Sequence, residues 1–299
     1  MTEIKLVFDE PKQRVKPPVH FADLDPDARK ARAVELGIPG FRANQMAVHF
    51  FTHYNDDTDT WSDIPKDLRE TLAKEFVPKL ITLVKSVTTD SGKTRKDLWR
   101  LHDGVLVESV LMRYTDRTTV CISSQAGCGM NCPFCATGQS GLTRNLTAGE
   151  ITAQVVAAAR ICAAGELPGG ETRLSNVVFM GMGEPLLNYN NMMRSIQWIT
   201  SPEGLGMSPQ RITVSTAGIA KMIKKLGDDK VKFNLALSLH AANDVKRSKI
   251  MEINDSNNLA ALSEALKYFH EATGTRITFE YIIFKEFFWK NGKPSIALK

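Results

Sequence analysis

Cys128-Gly-Met-Asn-Cys132-Pro-Phe-Cys135 stands directly behind a short β-branched run, Thr119 to Ser123. Three thiols at C-x3-C-x2-C spacing in a loop after a strand form a ligand set for soft metals. Thiolates are the usual ligands of iron–sulfur clusters. Three of them secure three irons of a cubane and leave the fourth open to a chelating substrate. Gly127 and Gly129 suit a loop wrapped closely round such a group. A structural zinc site is normally closed by four ligands. The loop holds no His and no fourth Cys, and the nearest extra thiol, Cys121, belongs to the preceding strand.

Downstream of the loop, strands alternate with helices. Thr147-Ala-Gly-Glu150 is a capping box that opens a helix with Ile151, Val155 and Cys162 near one face. Val177 to Met180, Ile212 to Ser215, Phe233 to Leu239 and Ile277 to Ile283 read as four further strands. This alternation predicts an α/β fold with a parallel sheet or barrel.

Upstream, the pattern is different. Asp25 to Leu36, Phe41 to Tyr54 and Lys66 to Phe76 read as helices, with Met46, Val48, Phe50 and Phe51 as packing residues of the second. Asp97 to Leu101 and Val105 to Met112 flank Asp103-Gly104. An Asp-Gly pair between apolar runs signals a hairpin whose two turn residues both take positive φ. The expected division is a helical N-terminal accessory domain over 1–93, a β-hairpin connector over 94–115, a core over 116–283 and a tail over 284–299.

The chain has 299 residues, 43% hydrophobic and 24% charged, with a net charge of +5 from 38 Lys and Arg against 33 Asp and Glu. This is ordinary globular composition, and the mild excess of positive charge permits an RNA partner without requiring one. No apolar run approaches the roughly 18–20 residues that span a bilayer. Met1 to Lys12 is charged and has no signal-peptide core, which predicts a cytoplasmic protein without a membrane partner. Five cysteines, an odd number, do not suit a secreted disulfide framework.

Longer strings carry a resemblance. Cys121-Ile-Ser-Ser-Gln-Ala-Gly-Cys128, Ala136-Thr-Gly-Gln-Ser-Gly-Leu-Thr-Arg-Asn-Leu146, Met180-Gly-Met-Gly-Glu-Pro-Leu-Leu-Asn188 and Ser238-Leu-His-Ala241 resemble the RlmN methyltransferases of the radical S-adenosylmethionine (SAM) superfamily. The similarity runs from about residue 25 to Ile283. It implies a (β/α) barrel, incomplete here, and methylation of carbon 2 of an adenine in 23S rRNA and in tRNA. It also implies a [4Fe–4S] cluster on Cys128, Cys132 and Cys135, two SAM per turnover, and an electron donor such as flavodoxin or ferredoxin. In the family one SAM methylates a C-terminal cysteine. The other is reductively cleaved, and the resulting radical activates that methyl group.

By the same resemblance Cys121 is the resolving cysteine, which releases the RNA adduct by forming a disulfide, and Glu108 is the general base. Gly183, Glu184, Ser215, Ser238, Leu239 and His240 are expected to hold SAM, the Glu184 carboxylate facing its ammonium group. By residue type alone, Cys121 is a small buried hydrophobe, Glu108 a solvated hairpin residue and His240 a structural histidine. Cys162 reads as core.

The likeness stops after the strand at Arg276 to Ile283. Phe284 to Trp289 carries four aromatics where the family has a polar turn, and no Cys follows Cys162. The stretch Met251-Glu-Ile-Asn-Asp-Ser-Asn is also more polar than its family counterpart. The expectation is a frameshifted or truncated chain, without the methyl carrier and impaired in activity. Two other readings stay open: a non-catalytic iron–sulfur or RNA-binding remnant, and a zinc-bound RNA-binding protein.

Overall fold

The computed structural model describes residues 16–283 and the short stretches 289–290 and 293–294. The Met1–Lys12 stretch and most of the aromatic tail lie outside the described residues. Helix α1 (Pro26–Glu35) begins at Asp25, whose carboxylate accepts the Ala28 N–H at 2.8 Å, with Pro26 in the first turn. Helix α2 (Gly40–Ala47) runs on into a π-helical turn, Val48–Thr52, and α3 spans Lys66–Phe76. Phe21, Met46, Phe51, Trp61, Leu72 and Phe76 form a core of their own between these helices, closed by Val156 and Trp198 from the rest of the chain. Val48, expected to pack, is exposed. It stands two residues from both Met46 and Phe50, about 200° round a helix.

Next comes a meander: β1 (Ile81–Thr89), β2 (Thr94–Leu101), β3 (Leu106–Arg113) and β4 (Thr118–Cys121), each antiparallel to the one before. Strand β1 falls in the segment expected to be helical. After Ile81 it is exposed along both faces, so it lacks the inside–outside alternation that marks a strand in sequence. The β2–β3 turn also departs from expectation. Only Gly104 has positive φ (86°), and the Leu101 N–H reaches the Val105 carbonyl at 2.8 Å, closing a loop longer than two residues. The Asp103 carboxylate is drawn instead to the Arg144 Nε at 2.6 Å.

The remaining elements alternate. Strand β5 (Gln125–Gly127), α4 (Ala136–Gln139) and β6 (Leu142–Asn145) precede α5 (Ala148–Ala163), which opens on the predicted capping box. Then follow β7 (Asn176–Phe179), α6 (Tyr189–Thr200), β8 (Ile212–Thr216), α7 (Ala220–Asp228), β9 (Asn234–Ser238), α8 (Asp244–Ile250), α9 (Leu259–Thr273) and β10 (Ile277–Glu280). Trp289–Lys290 (β11) and Lys293–Pro294 (β12) pair with each other.

One eight-stranded sheet runs in the order β1-β2-β3-β4-β7-β8-β9-β10, with β4 and all later members parallel. Its two faces differ. Val120, Val177, Phe179, Ile212, Val214, Leu235 and Leu237 pack under Ile151, Val155 and Cys162 of α5 and under the apolar sides of α6, α7 and α9. The register places Cys121, Thr213, Ser215, Ser238, Thr278 and Glu280 on the opposite face. A sheet apolar on one face and lined with hydroxyls, a thiol and a carboxylate on the other has one side for its core and one for a ligand. Among the described residues, no helix is long and apolar enough to cross a membrane.

Candidate cofactor and RNA-modification site

The cysteine loop is closed at its base by the antiparallel pair β5–β6, with Gln125 opposite Asn145 and Gly127 opposite Leu142. The Cys128 N–H donates to the Gly141 carbonyl at 2.8 Å across that base. Gly127 has φ +78°, and a Cβ there would stand 2.0 Å from the Gly141 oxygen. A Cβ on Gly138 would meet the Cys132 nitrogen at 3.0 Å, whereas Gly129 has room. The loop is therefore wound tightly around its own thiols.

Cys128 and Cys132 are buried and Cys135 is half-buried. Burial, reinforced by the neighbouring thiols, pushes Cys132 up to about 11 and raises Cys128 as well. Burial thus disfavours the thiolates of Cys128 and Cys132, and a cation or cluster must displace their protons to bind. Among the described residues, no three His, Cys, Asp or Glu side chains converge closely enough to hold one metal ion. All five cysteines are free, so the expected disulfide is not present.

The loop leans on the ends of the parallel strands. The Phe134 ring meets His240 edge-on at 5.1 Å. The Asn131 side chain donates to Glu252 at 2.7 Å, and Cys132 shares a buried cluster with Ala217, just past β8, and Met251, just past α8. His240 is buried with φ 53° and accepts the Ile282 N–H at 3.3 Å. Burial, then the charge of Arg247, lowers its pKa to about 4, so it is neutral at physiological pH. The half-buried Leu239 donates its N–H to the Glu280 carbonyl at 3.0 Å.

Met180 to Glu184 follows β7. Gly183 has φ +102°, and a Cβ there would lie 2.4 Å from the Gln125 Cβ. Glu184 is almost wholly buried, and its carboxylate turns into the fold. One oxygen accepts the Leu186 N–H at 3.0 Å and the other the Ala217 N–H at 2.7 Å. Its own N–H donates to Gln125 at 2.8 Å. Burial raises its pKa. The side chain expected to face an ammonium group thus ties the end of β7 to the end of β8.

Ser215 and Ser238 both donate to one oxygen of Glu280, at 3.3 and 3.2 Å, and their hydroxyls are 3.4 Å apart. Cys121 faces the same side, opposite Val110 on β3 and Val178 on β7, and burial pushes its thiol up to about 11. Glu108, two residues before Val110, shares that face but stands out on the antiparallel wing, in an ion pair with Lys96 at 2.9 Å. The structure therefore gathers the cysteine loop, Gly183, Glu184, Ser215 and Ser238–His240 at one end of the sheet, with Cys121 on the same polar face and Glu108 farther out along it.

Three participants escaped sequence reading. Gln125, whose side chain also donates to Asn145 at 2.7 Å, looked like one polar residue in a motif. Glu280 could have been found from parity with Thr278 along its strand. Arg247 gave no signal, since a basic residue in a charged helix reads as solvated. Three free thiols in a cradle too tight for side chains suit an iron–sulfur cluster, and the hydroxyl-rich strand ends beside it suit a polar cosubstrate.

Comparison with known proteins agrees with this chemistry. Residues 122–291 match the model of the radical SAM superfamily. A probable dual-specificity RNA methyltransferase RlmN of Nocardioides sp. is 51% identical over 286 residues, covering 95% of this chain and 76% of that protein. Its counterpart in Thermobifida fusca is 50% identical over 284 residues, covering 94% and 78%. The crystal structure of a radical SAM methyltransferase from Sphaerobacter thermophilus superposes with a TM-score of 0.83 at 42% identity, covering 88% of this chain and 76% of that one.

Proposed function

Because this chain belongs to the RlmN family of radical SAM RNA methyltransferases, we propose that it serves methylation of carbon 2 of adenine in 23S rRNA and in tRNA, in the cytoplasm. The family's cofactors are a [4Fe–4S] cluster and SAM. Cys128, Cys132 and Cys135 are the residues to hold the cluster, which when bound delivers the electron that cleaves SAM. The donor of that electron is a low-potential carrier such as flavodoxin or ferredoxin.

The observation that carries this reading is the polar sheet face running from the cysteine loop past Ser215 and Ser238 to Cys121. The backbone at Gly183 and the hydroxyls of Ser215 and Ser238 position SAM, and neutral His240 offers no charge to repel its sulfonium. Glu184 acts by holding the ends of β7 and β8 in place. Cys121 keeps its proton until an adduct needs resolving, and Glu108, paired with Lys96, takes the adenine proton. We assign residues 1–93 as an RNA-binding accessory unit, 94–115 as a connector and 116–283 as a partial barrel whose wall is the five parallel strands.

The test uses the protein reconstituted anaerobically with iron and sulfide. With SAM and a strong reductant it should release 5′-deoxyadenosine and methionine. Extended by the part of the Nocardioides relative that this chain does not match, it should form 2-methyladenosine in RNA digests. Iron-loaded protein that leaves SAM intact, or a methyl group on another atom, rejects the reading.

A further inference from the structure

We propose that Arg247 is the buried counter-charge of the cysteine loop, a positioning residue that makes the cluster held there easier to reduce. The inference rests on the cluster reading above. Arg247 lies in α8 and is wholly buried. Its Nε donates to the Leu239 carbonyl at 3.1 Å and its Nη1 to the Asn254 Oδ1 at 2.9 Å. Its Nη2 donates to the carbonyls of Ala217 at 2.6 Å and Ser238 at 3.1 Å. Each of these acceptors is an uncharged oxygen. They orient the guanidinium but do not neutralise it.

A guanidinium keeps its proton in a protein. A charge held in the interior is costly unless an opposite charge shares the space. Asp244, one turn earlier, is exposed, and its carboxylate is engaged by the Asn254 side chain at 3.0 Å and the Leu259 N–H at 2.9 Å. Glu184 accepts the N–H of Ala217 while Arg247 donates to its C=O, so the backbone of one residue stands between the two and they make no ion pair. The other candidate anion is the loop. Cys132 is buried against Ala217, the residue whose carbonyl Arg247 holds, and against Met251 at the end of the same helix. Besides the exposed Asp244, Cys132 is the group that acts on Arg247 as an opposite charge, and it does so from the buried side.

Cluster reduction adds one electron from a low-potential one-electron donor. It makes or breaks no bond and needs no proton. The net charge becomes more negative by one, and a fixed cation in a low-dielectric setting stabilises that state more than the oxidised one. Arg247 therefore sets the potential without touching SAM or RNA.

The experiment is a spectroelectrochemical titration of the reconstituted full chain. Arg247→Gln should move the midpoint to more negative potential, a tenfold or larger change in the reduction equilibrium, about 59 mV for one electron. Arg247→Lys keeps the charge and should retain most of the midpoint. Asn254→Asp sets a carboxylate against Nη1 and should shift the midpoint in the same direction as Arg247→Gln, with the arginine in place. If Arg247→Gln does not fold, Asn254→Asp still decides. Unchanged midpoints in the Gln and Asp variants overturn the proposal. So does a Lys variant that shifts as far as the Gln variant, since geometry and not charge would then be the cause. Wild-type protein that takes up no iron and sulfide overturns both this and the cluster reading, before any potential is measured.

Discussion

Glu184 shows how one side chain can look like a ligand in sequence and a brace in structure. Removing its carboxylate leaves the buried N–H groups of Leu186 and Ala217 without acceptors. Glu184→Ala should therefore lower unfolding stability by about 1–3 kcal/mol. It should also weaken SAM binding about tenfold or more by loosening the strand ends. Denaturant titration and calorimetry measure the two effects, and unchanged stability would show that the brace is dispensable. The cysteines sort by environment too. Alanine at Cys128, Cys132 or Cys135 should each abolish the broad visible absorption of the iron-loaded protein, whereas Cys162→Ala, within the apolar core, should keep it. A colourless Cys162→Ala protein would mean the ligand set is wrong. His20 gives a pH dependence. It is buried, its Nδ1 accepts the Ala22 N–H at 3.1 Å, and burial lowers its pKa to about 3 against 6.5 when free. The unfolded state takes up the proton first, so the stability His20 contributes is complete above pH 6.5 and lost as pH falls toward 3. The slope from one histidine is at most about 1.4 kcal/mol per pH unit. Thermal melts across pH 7 to 4 should fall less steeply for His20→Asn, and parallel curves would remove His20 as a source.

Among the elements, the β5–β6 pair has the narrowest tolerance. Gly127→Ala places a methyl group 2.0 Å from the Gly141 oxygen at a positive φ. It should open the base of the cysteine loop and sharply reduce iron uptake while leaving the circular dichroism of the sheet nearly unchanged. Normal iron content in that variant would show that the loop does not depend on its clamp. The parallel strands and α5 were legible in the sequence because β-branched runs and a capping box punctuate them. Strand β1 was not, since an exposed edge strand selects no apolar alternation. Nor was the β2–β3 loop, where Arg144 pulls Asp103 out of the simple turn that Asp-Gly suggests. The thiol loop was readable from spacing alone. Glu280 was readable only from its parity with Thr278, and Arg247 was not readable at all, because its role arises from burial that local sequence does not encode.

Taken whole, the molecule has a net charge of +5, and RNA attraction should carry a large ionic component. Affinity for a 23S rRNA fragment should fall log-linearly with salt, while SAM binding should change little over the same range. A salt-independent RNA affinity would place recognition in base contacts instead. Within residues 1–299 no cysteine follows Cys162, and Cys162 is sealed in the core. Residues 1–299 alone should thus cleave SAM slowly without forming 2-methyladenosine. Multiple-turnover 2-methyladenosine from that polypeptide, detected by mass spectrometry of digested RNA, would falsify this expectation.

The single sheet joins two kinds of strand pairing, and that bears on how the chain reaches its fold. β1 to β4 pair with immediate neighbours in sequence, so the meander can zip up as soon as it is synthesised. β4 cannot gain its other neighbour, β7, until the cysteine loop and all of α5 have been made. Long-range parallel pairing is slow because the intervening chain must first lose its freedom. During that interval β4 presents an unpaired edge beside three unligated thiols.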